Sequence, residues 1–341
     1  MKLNVKRILL VVIPVVIILG VILYFVFNKP EEIIVNKDKP KEEVKKLKIV
    51  DLDSNSRPVA VMINNHHEAW PHAGLQDAYL VYEMIVEGGI TRMLAVFKDA
   101  NTAKIGSVRS SRHYFLDYAL ENDAIYTHFG WSPQAQQDIP DLGINNINGL
   151  FDAGFWRDTS LDKATEHTAF TSMPKLQETI KNKGYRNTSN KDLLLNYSVP
   201  EINLENIEGS KKADNIKIVY SNYQTSTYQY DSTNKVYKRS MSGVEHVDSI
   251  TGKQYTVKNI ITYKVKNNGM DSYGRQELSN IGSGEGYYIS NGYAVPIKWS
   301  KSSREAQTVY TYNDGKEITV NDGNTFIQIQ PIGQNLEITS N

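Results

Sequence analysis

The stretch Pro58-Val59-Ala60-Val61-Met62-Ile63 is a compact apolar run that ends at Asn64-Asn65. An apolar run of this length in front of turn-forming residues predicts a buried β-strand. Two more strand-like runs follow at 78–86 and 92–97, and the Gly88-Gly89 pair between them is a turn signal. These three runs predict the first strands of a folded domain.

Helical patterns alternate with strand patterns further along the chain. Residues 113–120 have helical spacing, and 123–128 return to a strand pattern. Ser132-Pro133 is typical of an N-cap followed by a first-turn proline, and 172–184 starts in a similar way and ends in a glycine. Helices and strands in this order predict an α+β or α/β domain, which we place at 57–197.

The second half of the chain has a different composition. Thirteen of the 21 tyrosines lie between Tyr220 and Tyr312, interleaved with Thr, Val and Ile. Turn signals made of Asn, Asp and Gly recur among them, which is typical of short antiparallel strands. We therefore predict a mainly antiparallel β domain at 214–337, joined to the first domain by a linker at 198–213.

The N-terminus predicts where the protein is located. Basic residues within 1–7 precede an uncharged run at 8–27. A helix of about 20 residues is about 30 Å long, which matches the apolar core of a bilayer. We predict a cytoplasmic basic tail at 1–7 and a single-pass anchor in the cell membrane at 8–27. A charged flexible linker at 28–56 then leads to folded domains on the extracytoplasmic face.

Composition excludes several classes of protein. The 341 residues include 38 Lys+Arg, 38 Asp+Glu and no cysteine. Without cysteine the chain has no disulfide, no thiolate metal site and no lipid-modified N-terminal cysteine. A formal net charge of zero argues against nucleic acid as a partner. We also predict no cofactor.

Two carboxylates and an arginine lie around the Gly88-Gly89 turn. Glu83 and Glu87 are four residues apart, so they share a face both in a strand and in a helix. Arg92 follows the turn and is close enough to pair with Glu87. Such a group is either a surface salt bridge of little consequence or a carboxylate–guanidinium pair at the rim of a pocket.

Residues 109–112, Arg-Ser-Ser-Arg, come directly before the predicted helix at 113–120. Free backbone N–H groups and the helix dipole favour an anion at such a place. Two guanidinium groups and two hydroxyl groups would suit a phosphate or a carboxylate. The alternative is that one serine caps the helix while both arginines are solvated.

Further candidate residues follow in the same domain. His128 ends a strand pattern, a place where ligands collect in α/β sheets, and Ser132 is better explained as a helix cap than as a nucleophile. Arg157 and His167 add a cation and an acid–base group. His66-His67-Glu68 with His72 suggests a metal site as an alternative, but this spacing matches no established helical zinc motif, so no metal site is predicted. The predicted ligand-binding residues are Glu83, Glu87, Arg92, Arg109, Ser110, Arg112, His128, Ser132, Arg157 and His167.

Several of these motifs together resemble one known family. The stretches are 82–92 with Glu-Gly-Gly-Ile-Thr-Arg, 105–112 with Ile-Gly-Ser-Val-Arg-Ser-Ser-Arg, 128–133 with His-Phe-Gly-Trp-Ser-Pro, and, in the second half, Gly282-Ser283-Gly284, Asn291-Gly292, 298–301 and 325–328. They resemble the YerB-like family of bacterial envelope proteins, mostly lipoproteins of Gram-positive bacteria with an N-terminal and a C-terminal domain of unknown function. The resemblance implies an extracytoplasmic location and two domains, and it implies no reaction.

Two functions from different classes fit these residues. The first is an envelope protein that binds a phosphate- or carboxylate-bearing ligand in a pocket of the first domain and contacts cell-wall polymer or an envelope protein. The second is an envelope enzyme that acts on a phosphorylated polyprenyl-linked or glycan substrate, with Glu83, Glu87 or His128 as general acid or base. In this second function Arg92, Arg109 and Arg112 would hold the phosphate. The order of an arginine-bearing strand, an arginine-rich turn and a later histidine or polar loop is loosely similar to that of the LytR-CpsA-Psr phosphotransferases.

Binding is favoured over catalysis because the sequence contains no complete set of nucleophile, base and orienting group. A purely structural protein, with all these charges in internal ion pairs, is the third interpretation.

Overall fold

The computed structural model describes residues 46–340, together with Gly20, Leu23, Tyr24 and Phe27 of the N-terminal segment. The predicted basic tail, most of the predicted membrane anchor and the linker up to residue 45 lie outside the described residues. Within the described part of the chain, no helix is long and apolar enough to cross a membrane. From Lys46 onward the chain forms one compact unit.

The first half of this unit alternates strands and helices, and the predicted mixed fold is confirmed. Its strands are β1 (Val59–Asn64), β2 (Leu80–Ile85), β3 (Thr91–Phe97), β4 (Ile105–Gly106), β5 (Ile125–His128), β6 (Asn146–Asn148), β7 (Phe155–Arg157), β8 (Ala169–Thr171) and β9 (Asn196–Ser198). Its helices are α1 (His113–Glu121), α2 (Pro133–Asp141) and α3 (Met173–Asn182).

Local signals set the ends of two of these helices. The Ser132 hydroxyl accepts a hydrogen bond from the backbone N–H of Ala135 at 3.3 Å and caps α2. Ser172 caps α3 in the same way through the N–H of Lys175. Gly184 follows the end of α3 with a φ of +66°, a backbone conformation that glycine adopts without strain.

The second half consists of strands and turns, most of them paired antiparallel as the sequence predicts. The strands are β10 (Lys211–Lys212), β11 (Asn215–Val219), β12 (Thr225–Asp231), β13 (Val236–Met241), β14 (Val244–Glu245), β15 (Thr256–Val257), β16 (Asn259–Val265), β17 (Asn267–Gly269), β18 (Gln276–Leu278), β19 (Gly282–Ser290), β20 (Tyr293–Lys301), β21 (Val309–Tyr312), β22 (Thr319–Asn321), β23 (Thr325–Pro331) and β24 (Leu336–Thr339).

Strands from both halves form one 11-stranded sheet. Its order is β10-β20-β19-β16-β23-β2-β3-β1-β5-β6, with β21 paired to β20. Strand β23 is parallel to β16 on one side and to β2 on the other. All seven residues of β23 are buried, as expected for a parallel strand covered on both faces. Hydrogen bonds therefore cross directly between the two predicted domains, whose boundaries stay a prediction.

The remaining strands form smaller sheets beside the large one. A six-stranded antiparallel sheet has the order β14-β13-β12-β11-β24, with β15 paired to β13. Buried tyrosines on β12 and β13, Tyr228 and Tyr237, belong to the common core. The other sheets are β4-β8-β7, β17-β18 and β22-β9.

Parts of both predicted linkers are held against the folded unit. The backbone N–H of Lys48 donates to both carboxylate oxygens of Asp322 at 3.0 Å. The last part of the linker predicted at 28–56 therefore contacts the folded unit through its backbone, at the turn between β22 and β23. Within the second predicted linker, 198–213, Leu204 is wholly buried.

Three neighbouring strands of the large sheet run parallel and determine where a ligand can collect. Strand β5 is parallel to β1 and to β6. The three strands end at Asn64, His128 and Asn148, so the segments that follow them meet at one edge of the sheet. This edge is the preferred ligand position in sheets with parallel strands.

Candidate functional site

A cavity of about 610 Å³ lies where β5 and β6 end. Its wall includes Phe129 and Trp131 from the segment after β5 and Leu150 from the segment after β6. Three of the predicted ligand-binding residues, Arg109, Ser110 and Arg157, also line it. The volume is that of a pocket for a small molecule, with apolar walls and a few polar groups.

Arg109 is a half-buried cation on this wall. Within residues 46–340 its guanidinium donates one hydrogen bond, to the carbonyl oxygen of Glu166 at 3.4 Å. Burial lowers the pKa of Arg109, and the nearby charges of Arg112 and Arg157 lower that pKa further, while Glu166 opposes them. A guanidinium has five N–H donors, so Arg109 keeps donors that have no partner among residues 46–340.

Arg157 is the second cation of the cavity. Its guanidinium lies 4.6 Å from the ring centre of Phe129 and donates to the carbonyl oxygen of Thr165. Stacking on the ring holds the guanidinium plane while leaving N–H groups at its edge unused. The cavity wall therefore has two cations, Arg109 and Arg157, and one anion, the exposed carboxylate of Glu166, so positive charge is in excess.

Aromatic and aliphatic side chains form one rim of the cavity. The rings of Trp131 and Phe151 lie 5.8 Å apart between centres. Phe151 is 75% exposed and Leu150 is 53% exposed, although both are large apolar residues. An exposed apolar patch beside cations is typical of a binding surface for a ligand with both apolar and charged parts.

The two serines near the cavity have structural roles. The Ser110 hydroxyl donates to the carbonyl oxygen of Phe129 at 3.0 Å, which joins the segment before α1 to the cavity wall. Ser111 accepts a hydrogen bond from the hydroxyl of Tyr126. Neither of them caps α1, whose N-cap residue is Arg112 without a side-chain capping bond. The suggested serine cap at this helix is therefore wrong.

Glu87, Arg92 and Arg112 form an ion-pair cluster behind the cavity wall. Arg112 binds Glu87 through two hydrogen bonds of 2.5 and 2.9 Å, and Arg92 lies 4.0 Å from the same carboxylate. Burial alone would raise the pKa of Glu87, but the two arginines outweigh it and hold that pKa below its ordinary value.

The buried guanidinium of this cluster supports the segment that carries Ser110. Burial and the charge of Arg112 lower the pKa of Arg92 to about 9. Arg92 donates to the Ser110 carbonyl at 2.6 Å. Glu87, Arg92 and Arg112 therefore position the 109–112 segment, and they do not line the cavity.

Glu83 lies away from this region. Its side chain is wholly buried and pairs with Arg239 of β13 at 2.8 Å. The expectation that Glu83 and Glu87 project together is wrong because β2 ends at Ile85 and the chain turns at Glu87–Gly89. Glu83 is part of an internal ion pair, which is what the third interpretation, a purely structural protein, predicts for this residue.

His128 is also an internal group. Nδ1 donates to the Gly130 carbonyl at 2.8 Å, and Nε2 lies 3.2 Å from the side-chain Oδ1 of Asn146. Burial lowers the pKa of His128, although these two hydrogen bonds oppose the shift. The ring holds the chain where β5 ends, and its two nitrogens are already engaged.

His167 lies next to the cavity and contacts Glu68 and His66, which the sequence spacing did not predict. Its Nε2 is 3.2 Å from Oε2 of Glu68, and its ring stacks on His66 at 5.1 Å between centres. Burial lowers the pKa of His167, and Arg109 lowers it further. Glu68 is absent from the predicted set because it lies about one hundred positions away and carries no motif.

A larger cavity of about 860 Å³ lies elsewhere and is less suited to an anion. Its lysines are already used, since Lys98 Nζ donates to the Ser56 carbonyl at 2.8 Å. Lys191 Nζ donates to the carbonyls of Leu120 and Glu305. The cavity with Arg109 and Arg157 is therefore the candidate site.

The chain matches known proteins in both halves. The family model described as "Protein of unknown function (DUF3048) N-terminal domain" matches residues 47–186, and the one described as "Protein of unknown function (DUF3048) C-terminal domain" matches 216–327. A protein of Bacillus subtilis (strain 168), described as "Putative lipoprotein YerB", is 31% identical over 280 residues, which is 81% of each chain. The crystal structure of YerB from Bacillus subtilis superposes with a TM-score of 0.73 at 29% identity, covering 86% of this chain and 99% of that one.

Proposed function

The chain belongs to the YerB-like family of DUF3048 proteins, and on that premise we propose an extracytoplasmic envelope protein that binds an anionic ligand. The ligand occupies the cavity lined by Arg109 and Arg157. The observation that carries the proposal is a pair of guanidinium groups on one cavity wall, each with N–H donors left over. Guanidinium groups bind phosphate and carboxylate through paired hydrogen bonds.

The apolar rim narrows the chemistry of the ligand. A free inorganic anion would leave the exposed apolar surfaces of Leu150 and Phe151 uncovered. A sugar ring or a prenyl chain attached to the anion would cover this rim, since aromatic faces bind both. We therefore propose a glycosyl or polyprenyl phosphate, which are the charged groups of wall polymers and their precursors.

Binding is favoured over catalysis by the state of the groups predicted to act as acid or base. Glu83 is paired with Arg239, Glu87 with Arg112, and both nitrogens of His128 contact protein groups. A general base must reach the proton that it abstracts, and these groups are instead bonded in place.

Membrane attachment is a separate part of the proposal. The 341 residues include no cysteine to carry a lipid, whereas 8–27 is long enough to span a bilayer. We expect the full-length protein to stay in the membrane pellet after alkaline carbonate extraction. Val16→Asp with Leu19→Lys should release it, because each charge costs about 2.5–3.5 kcal/mol at the centre of a span. Release of the unchanged protein would contradict a spanning anchor.

Ligand binding is tested with N-acetylglucosamine 1-phosphate and geranyl phosphate as probes, added to the full-length protein in mild detergent. Calorimetric titration should show binding that falls about tenfold or more for Arg109→Ala and again for Arg157→Ala. The reason is that a hydrogen bond to a charged group contributes about 1.5–3 kcal/mol. N-acetylglucosamine and geraniol, which lack the phosphate, should bind far more weakly than their phosphates.

The matched control variant is Arg275→Ala. Arg275 is an arginine outside the cavity that forms its own ion pair with Asp271 at 2.6 Å. Its removal should leave the dissociation constants unchanged. Equal affinity in the wild type and the Arg109→Ala, Arg157→Ala double variant would overturn the proposed site.

A further inference from the structure

Two histidines and a glutamate converge beside the cavity. His66 and Glu68 lie at the short turn that follows β1, and His167 ends the 3₁₀ turn Thr165–His167. One nitrogen or oxygen atom of each lies within 4.8 Å of the other two. The side chains are 29%, 57% and 5% exposed, respectively, so the group is open to solvent on one side and anchored on the other.

The scaffold around these side chains is well defined. The Asn64 side chain lies 2.8 Å from Nδ1 of His167 and also accepts a hydrogen bond from the backbone N–H of His66. One buried asparagine at the end of β1 therefore fixes both segments. A histidine that binds a metal through one ring nitrogen is commonly held by a neighbour at the other nitrogen.

The chemistry of the group is that of a transition-metal site. Two imidazoles and one carboxylate form the protein ligand set of several zinc sites with an open fourth position. A histidine binds a metal ion through a ring nitrogen that carries no proton, and each neutral imidazole has one such nitrogen. Carboxylate and imidazole together suit Zn²⁺ better than Ca²⁺ or Mg²⁺, which prefer oxygen ligands.

We propose that His66, Glu68 and His167 bind one divalent transition-metal ion of the Zn²⁺ type. Zinc–ligand bonds of about 2.1 Å in a tetrahedral site place the ligand atoms about 3.4 Å apart. Glu68 Oε2 and His167 Nε2 are already 3.2 Å apart. The ligand atoms of the three residues lie within 4.8 Å of one another, so the side chains of His66 and Glu68, which are 29% and 57% exposed, rotate to close around an ion. This proposal does not rest on anion binding.

The ring proton of His167 must move when the ion binds. In the observed arrangement the Asn64 amide donates to Nδ1, so Nε2 carries the proton and donates to Glu68. With a metal ion on Nε2 the proton is on Nδ1, and the Asn64 amide turns its oxygen toward Nδ1, which breaks the hydrogen bond that this oxygen accepts from the backbone N–H of His66. The neutral ring keeps one proton throughout, so the step balances.

The proposed metal site lies beside the anion cavity. Glu166 precedes His167 and lines that cavity, and its carbonyl oxygen lies within 3.5 Å of both Asn64 Nδ2 and Arg109 Nη1. A bound ion would add positive charge next to Arg109. The two sites can therefore act on one ligand, although each can be tested without the other.

The experiment is a calorimetric titration of the full-length protein with Zn²⁺ alone, after dialysis against EDTA. We expect one ion per chain. His66→Ala and Glu68→Gln should each weaken binding by at least about 100-fold, because losing a direct ligand costs more than losing its outer support. Both side chains are partly exposed, so the variants should fold, and thermal unfolding verifies this. Cobalt in place of zinc should give visible absorption bands that both variants lose.

The matched control is His113→Gln. His113 forms a similar pair with Glu277, at 2.9 Å, but the described residues place no third ligand beside it. This variant should bind zinc as tightly as the wild type. Zinc binding that survives His66→Ala and Glu68→Gln, or the lack of stoichiometric binding by the wild type, would overturn the proposal.

Discussion

Replacing Arg239 by methionine should lower the free energy of unfolding by about 3–5 kcal/mol. Arg239 and Glu83 are wholly buried and lie 2.8 Å apart between Nη2 and Oε2. Methionine fills much of the space but leaves the Glu83 carboxylate in the core without its cation. An unpaired buried charge destabilises the folded state. Urea unfolding of the full-length protein in detergent measures the difference.

The hydrogen bonds around Glu83 indicate how the stability lost in Arg239→Met can be partly regained. Asn65 and Thr91 donate hydrogen bonds to the carboxylate, as does Ser226. In the Arg239→Met background, Glu83→Gln removes the charge but keeps an acceptor for these donors. The double variant should therefore be more stable than Arg239→Met alone, a non-additivity expected of groups in one network.

An exposed ion pair is the control for this prediction. Lys217 and Glu337 lie 3.3 Å apart with side chains 49% and 45% exposed. Lys217→Met should change the free energy of unfolding by at most about 1 kcal/mol, because water screens such pairs. Equal losses for Arg239→Met and Lys217→Met would contradict the role assigned to burial.

The elements that follow from local sequence were predictable. The apolar run before Asn64-Asn65 is β1, and Ser132-Pro133 starts a helix where the N-cap pattern predicts one. These features depend on residues within a few positions of one another, so a single stretch contains the information. The same is true of the turn at Gly88-Gly89, where both glycines have positive φ angles.

The joining of the two halves could not be predicted in this way. Strand β23 lies between β2 and β16, and β2 is more than two hundred residues away in sequence. The ion-pair partner of Glu83 could not be predicted for the same reason, because Arg239 is 156 positions away in the sequence. A carboxylate in a strand pattern indicates a polar position, but the identity of its partner depends on which strands meet.

The candidate site was predictable in part for the same reason. The residues 109–112 and the segment after His128 lie where the sequence predicts a ligand position, and Arg109 and Ser110 line the cavity together with Trp131. The contact between Glu68 and His167 was not predictable because only the fold brings these two residues together. Burial also decides what a side chain can bind. His128 and Glu83 are buried and hydrogen-bonded to protein groups, whereas half-buried Arg109 has N–H donors without a partner in the described part of the chain.

A buried chain of hydrogen bonds makes the fold sensitive to acid. His72 Nε2 lies 2.5 Å from the Asn64 carbonyl, which can only accept, so this nitrogen carries the proton. His72 Nδ1 is then an acceptor, and His246 Nε2–H donates to it at 2.7 Å. Arg239 donates to the remaining nitrogen, Nδ1 of His246. Both rings are therefore neutral, and an added proton would have no acceptor in this chain of contacts.

The expected result is a loss of stability as the pH falls below about 6.5. Burial lowers the pKa of His72 to about 3 and that of His246 well below its ordinary value, so the unfolded state binds protons that the folded state does not. Stability is then fully present above the unfolded pKa and falls by about 1.4 kcal/mol per pH unit for each such histidine. His72→Gln offers the same donor and acceptor but cannot be protonated, so its unfolding free energy should fall less steeply between pH 6.5 and 5. Equal slopes for the wild type and His72→Gln in urea unfolding would show that His72 is not kept neutral by the fold.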